Sequence, residues 1–147
     1  MQDISGGISA DEHGCFVYRV TKGNAVAVRT CVNVGDEFRS NHSFDENDLV
    51  SVDLVYPSRY PNSKNGPFLR LTDNSGWLFE KKHGEVLLER LPVQSGLWCF
   101  YVDNAPTGMA LRCHPFDKSS KIDPEVLLRP MQMIYCDRMV VHPTNNG

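Results

Sequence analysis

Cysteine and histidine are the residues of this chain best suited to nucleophilic or metal chemistry. Cys113 and His114 are adjacent, and their residue types are those of a nucleophile and its base. Neighbouring residues at the end of a strand point to opposite faces, so we do not expect the thiol to contact the imidazole. No nucleophile-elbow pattern surrounds them, and the five cysteines include no C-x-x-C spacing that would favour zinc. We predict no catalytic residue, no metal and no cofactor.

Charge and cysteine content narrow the classes of partner and the compartment. The formal net charge is −3, and it comes from Asp3, Asp11 and Glu12, since the rest of the chain is balanced. A neutral body lacks the basic surface typical of nucleic-acid binding. The cysteine count is odd, and most of the cysteines lie in apolar runs, which favours free thiols in a reducing compartment. No apolar stretch approaches the ~20 residues of a membrane span. We therefore predict a cytoplasmic protein that binds neither nucleic acid nor membrane.

Short alternating segments separated by turns predict an all-β fold. Nine prolines and eleven glycines are spread along the chain and divide it into these segments. We expect Val34–Asp45 to be a polar loop and Asp123-Pro124-Glu125 to begin a very short helix. The predicted strands are Phe16–Val20, Ala25–Arg29, Leu49–Tyr56, Phe68–Leu71, Trp77–Glu80, Val86–Leu91, Trp98–Val102, Met109–Arg112 and Met131–Tyr135.

The two halves of the chain show weak self-similarity in a common order. Gly14 matches Gly96, and Cys15-Phe16 matches Cys99-Phe100 if two residues are inserted. Val28-Arg29 then matches Leu111-Arg112, and Asn65-Gly66 matches Asn146-Gly147. The first copy continues into strands that end in Gly76-Trp77, whereas the second does not. The pattern predicts a tandem repeat whose second unit is incomplete.

Two short motifs resemble the pattern of the bacterial-type SH3 (SH3b) domain. In that family an arginine follows an apolar residue in an early strand, and a later Gly-Trp pair is followed by an apolar residue. Val28-Arg29 and Gly76-Trp77-Leu78 carry this resemblance, which covers Cys15–Leu91 fully and Trp98–Gly147 in part. It implies two tandem small SH3-like barrels, the second truncated or completed by another segment. The predicted organisation is a flexible linker at 1–14, a first unit at 15–92 and a partial second unit at 96–147.

The Gly-Trp pair also has a physical explanation. A small barrel must bend its last strand, and Gly76 permits the bend and a close backbone approach. Trp77 can bury ~200 Å² and so fill much of a small core. It could instead be a surface platform for a peptide or glycan, and the sequence leaves both roles open.

Aromatic residues around a proline-rich loop are the candidate binding residues. Pro57–Pro67 holds three prolines and could shape a groove. We predict a non-enzymatic interaction or scaffold module that binds a peptide or partner protein through its loops and the cleft between its units. The alternatives are a cell-wall or glycan targeting module, as wall-hydrolase SH3b domains imply, and a structural repeat that self-associates through an open sheet edge. The predicted ligand-binding residues are Tyr56, Arg59, Tyr60, Phe68, Trp77, Trp98 and Tyr101.

Overall fold

The computed structural model describes residues 11–57, 63–103, 106–115 and 118–143. The prediction of an all-β fold is confirmed, and within these residues the only helix is a 3₁₀ turn at Asp36–Phe38. No helix in the described part of the chain is long and apolar enough to cross a membrane. The chain forms two compact units, Met1–Leu91 and Pro92–Gly147. The strands of the first are β1 (Glu12–Val20), β2 (Val26–Arg29), β3 (Arg39–Phe44), β4 (Leu49–Tyr56), β5 (Phe68–Leu71), β6 (Trp77–Phe79), β7 (Lys81–Lys82), β8 (Glu85–Val86) and β9 (Leu88–Leu91).

One antiparallel sheet forms most of the first unit, with strand order β3-β2-β6-β5-β4-β1-β9, and β7 and β8 form a separate two-stranded ribbon. The alternation of apolar residues that predicts strands along β4 and β5 also places their side chains in the core. The largest side chains with almost no exposure come from β1, β2, β4, β5, β6 and β9. They are Tyr18, Phe79, Leu49, Leu69, Leu71, Leu78, Leu88, Val20, Val28, Val50 and Val52.

Arg29 is a buried cation that fixes the loop after β2. Its Nη1 donates to the Ala27 carbonyl (2.9 Å), while Nε and Nη2 donate to the Val34 carbonyl (3.2 and 3.0 Å). The guanidinium also lies 4.9 Å from the ring centre of Phe79. Burial lowers the pKa of Arg29, with the nearby Arg39 adding to this effect. The arginine in the motif therefore satisfies backbone groups inside the unit and stacks on a core ring.

The position of Gly76 explains why a glycine directly precedes Trp77, the first residue of β6. Its φ is +144°, and a Cβ there would lie 2.5 Å from the Arg29 carbonyl oxygen and 2.6 Å from Val28 Cγ1. Arg29 is the register partner of Trp77. The two short motifs, Val28-Arg29 and Gly76-Trp77, are thus one contact between β2 and β6, where only glycine allows the backbones to approach this closely.

Arg90 fastens β9 to β1. Its Nε donates to the Tyr18 hydroxyl (3.0 Å) and its Nη2 to Glu12 Oε1 (2.9 Å), and its guanidinium lies 4.6 Å from the centre of the Phe16 ring. The hydrogen bond to Arg90 lowers the pKa of Glu12. Burial raises the pKa of the Tyr18 phenol, so this group stays protonated as a hydrogen-bond acceptor for Arg90.

Two sequence-based predictions of local structure are wrong. Val34–Asp45 is not only a loop, because it contains the 3₁₀ turn and strand β3. That strand is polar because it is the sheet edge and buries only Phe44 along its length. Asp123-Pro124-Glu125 begins no helix, and the chain instead enters a short strand at Leu127–Leu128. An N-terminal helix signature needs a following helical segment, and here a strand follows.

The described part of the second unit has four strands in two separate pairs. Strand β10 pairs antiparallel with β13, and β11 pairs antiparallel with β12. An isolated bridge joins Arg112 to Lys121 beyond the shorter pair. The strands are β10 (Gln94–Tyr101), β11 (Met109–Ala110), β12 (Leu127–Leu128) and β13 (Met133–Met139).

The β2–β6 contact predicts a large cost for any side chain at position 76. Gly76→Ala should destabilise the first unit by about 2–4 kcal/mol. The added methyl group would collide with the Arg29 carbonyl, and the alanine would be held at an unfavourable positive φ. Gly23→Ala is the matched control, because Gly23 has φ +81° but no atom within 4 Å of the added Cβ; it should cost about 1 kcal/mol. Urea unfolding followed by Trp77 emission in a Trp98→Phe background measures both. If the two substitutions lower the free energy of unfolding equally, the close approach of the backbones does not contribute to the cost at position 76.

Candidate functional site

Three of the predicted binding residues lie on adjacent strands of the first unit. Tyr56 and Phe68 are register partners on β4 and β5, and Trp77 on β6 lies with its ring centre 6.3 Å from that of Tyr56. Phe68 also contacts Phe79 edge-on, with ring centres 6.5 Å apart. All three predicted residues are half-buried. Trp77 is thus neither a fully enclosed core residue nor a fully exposed platform.

The remaining predicted binding residues fall elsewhere. Trp98 and Tyr101 lie on β10 of the second unit, where Trp98 is half-buried and Tyr101 is exposed. Arg59 and Tyr60 lie outside the described residues. The structure therefore brings Tyr56, Phe68 and Trp77 together and places the other two on a different sheet.

The Cys113-His114 pair is tied to backbone and hydroxyl groups of its own loop. Cys113 Sγ lies 3.8 Å from the Lys121 carbonyl oxygen, and the His114 amide donates to the Ser119 hydroxyl (2.9 Å). His114 is buried. Within the described ranges, no group of three histidine, cysteine or acidic residues is arranged to hold a metal. These contacts give the pair a role in shaping the loop.

The second unit repeats the long strand pair of the first, including its irregularity. Strand β1 pairs with β4 as β10 pairs with β13, and each first strand bulges at one position, between His13 and Phe16 and between Ser95 and Trp98. Each bulge holds a glycine under the following aromatic ring. A Cβ on Gly14 would lie 3.2 Å from the Phe16 ring, and one on Gly96 would lie 2.8 Å from the Trp98 ring. The same bulge therefore orients the following aromatic side chain, Phe16 or Trp98, in the same way in both units.

The turns that precede β4 and β13 also match. Val20 exchanges backbone hydrogen bonds with Asn47 and Asp48, and the equivalent bonds join Val102 to Met131 and Gln132. Asn47 and Met131 both have positive φ, at 67° and 65°. In each turn a side chain accepts from the amide three residues earlier. Asp48 Oδ2 accepts from the Asp45 amide (2.8 Å) and Gln132 Oε1 from the Arg129 amide (2.9 Å).

The arginine motif occupies the same place in both units. Arg29 pairs with Arg39 across the short strands, and Arg112 bridges to Lys121. The next residue also matches, since the Thr30 amide donates to the Phe38 carbonyl and the Cys113 amide to the Ser120 carbonyl, each at 2.8 Å. Arg112 Nη1 donates to a loop carbonyl, that of Ser119, as Arg29 donates to Val34. The shared pattern extends from β1 to β4 and from β10 to β13.

This register corrects one part of the sequence alignment. Phe16 is equivalent to Trp98, because they pair with Val52 and Cys136 at the same distance from the bulge. Phe100 takes the place of Tyr18, so matching Cys15-Phe16 with Cys99-Phe100 was wrong and no insertion is needed. Trp98 is therefore the counterpart of a bulge aromatic and is not a second copy of Trp77.

The described part of the second unit contains no counterpart of β5, β6 or β9. In the first unit β5 extends the sheet beyond β4, β6 lies beside β2, and β9 lies beside β1. Among the described residues β13 pairs only with β10, and β11 only with β12. Equivalent positions consequently differ greatly in exposure. The pairs are Tyr18 at 0% and Phe100 at 45%, Val28 at 0% and Leu111 at 38%, Val26 at 3% and Met109 at 53%, and Leu49 at 1% and Met133 at 59%.

These exposed side chains form the candidate site, which we call the open sheet and define as the β10/β13 pair, the β11/β12 pair and the residues that flank them. Of the exposed large hydrophobic residues in the described ranges, all but Val86 belong to the second unit. Exposed apolar area of this kind is unusual for a surface that stays in water, and in proteins generally it is typical of interaction sites. The residues are Leu97, Phe100, Tyr101, Met109, Leu111, Val126, Leu127, Met131, Met133, Tyr135 and Val141.

Comparison with known proteins gives no match to a family model, to a curated protein or to a solved structure. The resemblance to the bacterial-type SH3 domain stays a prediction that depends on the residues and the strand pattern.

Sequence reasoning found Tyr101 and Trp98 but missed most of the open sheet. Phe100, Leu111 and Tyr135 alternate with other residues in the way that core strands do. Alternation shows which side chains share a face and does not show whether another element covers that face. The available signal was the repeat itself, because the first copy continues into strands that have no counterpart in the described part of the second.

The difference between covered and open positions predicts different costs for the same change. Val28→Ser should destabilise the first unit by about 2–4 kcal/mol, through lost burial and a buried hydroxyl. Leu111→Ser at the equivalent position should change the second unit by less than about 1 kcal/mol, since Leu111 is already exposed. Urea unfolding measures the first through Trp77 and the second through Trp98, each in a background where the other tryptophan is phenylalanine. A large loss for Leu111→Ser would mean that the face is covered in solution.

Proposed function

We propose that this chain is a non-enzymatic protein-interaction module that binds its partner on the open sheet. The observation that carries the proposal is that the first unit encloses its core with β5, β6 and β9, whereas the described part of the second unit has the same face and no such strands. A partner protein that supplies strands to this face would bury exposed apolar side chains such as Phe100 and Leu111, and it would pair with the edge of β13 that has no partner strand among the described residues.

Strand addition is the mode of binding that suits this surface. An exposed strand edge offers backbone amide and carbonyl groups to a second strand, while alternate side chains give selectivity. Strand β13 has seven residues and pairs on one side only in the described residues. Tyr135 and Met133 are exposed on it, and aromatic and methionine side chains are common anchors at protein interfaces.

The SH3-like character of the units belongs to the same proposal. Its support is the position of the two motifs, since Arg29 of the first motif pairs with Trp77 of the second, and Gly76 makes their close contact possible. The repeat of the bulge, the turn and the arginine in the second unit supports a tandem arrangement. All five cysteines are free thiols, which supports our placing of the protein in a reducing, cytoplasmic compartment.

Affinity capture with matched variants tests the proposed surface. Tyr135→Lys places a charge at the centre of β13 and should reduce retention of specific partner proteins by at least about tenfold, as expected for an interface anchor. Val86→Lys is the control, because Val86 is the one exposed large hydrophobic residue among those described in the first unit; it should retain the same proteins as the wild-type chain.

The capture uses soluble lysate and, in parallel, cell-wall material, with quantitative mass spectrometry as the readout. Circular dichroism and thermal unfolding show whether each variant keeps its fold. If Tyr135→Lys and wild type retain the same proteins at the same level, the open sheet is not the binding surface. Retention by wall material alone would support the glycan-targeting alternative instead.

A further inference from the structure

We infer that the partner segment is a β-hairpin with the pattern of this chain's own β5–β6, which pairs antiparallel with β13 and places a cationic side chain beside Asp137. This inference depends on the proposed function and specifies the chemistry of the partner. The first unit provides the template, because its β5 and β6 occupy the place that is open in the second.

The register of the first unit fixes where such a hairpin would lie. In β5, Leu71 pairs with Val52 and Leu69 with Val55. Cys136 and Met139 are the equivalents of Val52 and Val55, because they occupy the same positions opposite β10 that those residues occupy opposite β1. The first strand of the hairpin would therefore run antiparallel along Cys136–Met139.

Charge at this edge identifies one residue of the partner. In the first unit, Arg70 of β5 donates from Nε to Asp53 Oδ1 of β4 (2.9 Å). Asp137 occupies the position of Asp53, and its side chain is 80% exposed against 35% for Asp53. Among the described residues, its ion-pair contact is to its sequence neighbour Arg138, at 3.4 Å. A partner cation at the place of Arg70 would form the cross-strand pair that the first unit already contains.

The apolar face sets the rest of the partner's pattern. Leu69, Leu71 and Leu78 of the first hairpin are all at 0% exposure, so this hairpin is part of what encloses the first core. The corresponding face of the second unit includes Phe100 and Leu111, which lack such cover in the described residues. A hairpin with apolar residues at the alternate positions would bury them, and this burial would add to the affinity that the backbone hydrogen bonds along β13 supply.

The other long edge of the open sheet is a poorer candidate. In the first unit β9 is held to β1 by Arg90, which uses the Tyr18 hydroxyl and the Glu12 carboxylate. The equivalent residues of β10 are Phe100 and Gln94, which offer neither a hydroxyl nor a charge at these positions. An acidic residue that can form an ion pair with an added strand is therefore present on β13, as Asp137, and has no equivalent at these positions of β10.

A peptide with the sequence of residues 67–80 of this chain, carrying Trp77→Phe, is the probe for the test. It is titrated into the full-length, ¹⁵N-labelled chain, with affinity from calorimetry and location from amide chemical shifts. We expect saturable binding with shifts along β13. Changing the peptide's Arg70 to Glu should weaken binding by at least about tenfold, and the chain variant Asp137→Arg should restore binding of that peptide while weakening the original.

Glu85→Arg is the matched control, since it reverses an exposed acid on β8 of the first unit and should leave the affinity unchanged within about twofold. Binding that is indifferent to both charge reversals, or shifts confined to the first unit, overturns the inference. A peptide that does not bind also overturns it, while the Tyr135→Lys capture result decides the proposed function separately. If sedimentation shows dimers that Asp137→Arg dissociates, the occupant is a second copy and the inference is wrong.

Discussion

An antiparallel sheet with an apolar face must have that face covered, and two strands cannot do this for themselves. The first unit meets the requirement within its own ninety-one residues, because β5, β6 and β9 enclose the side chains that β1 and β4 present. The described part of the second unit builds the same β1–β4 framework and leaves out the enclosing strands. The contrast between Tyr18 and Phe100, equivalent in register and opposite in exposure, follows from this one difference.

The two units share this framework through backbone conformation more than through identical residues. A glycine under an aromatic ring makes the bulge in both units, with phenylalanine at position 16 and tryptophan at position 98. A residue with positive φ makes the turn in both, although Asn47 suits that conformation better than Met131 does. What the two copies share is therefore the path of the chain, which few sequence identities mark.

The fold class and most strands could be predicted from the sequence because strands of period two alternate with turns along the whole chain. β3 could not, since an edge strand that buries only Phe44 has the composition of a loop. The repeat was predicted, but its alignment followed the Cys-Phe identity and missed the bulge, which backbone pairing alone defines. Of the candidate site, Trp98 and Tyr101 were found as aromatic residues. Phe100, Leu111 and Tyr135 were not, because a strand pattern carries no information on which other elements are present.

The buried arginine has a consequence for how the loops between β2 and β3 can change. Arg29 holds its loop through the carbonyl of Val34, and Arg112 donates in the same way to the carbonyl of Ser119. A carbonyl is common to every residue type, so these hydrogen bonds place no demand on the side chain of the residue that accepts them. The residues that accept these hydrogen bonds can therefore be replaced while the sheet beneath the loop stays intact.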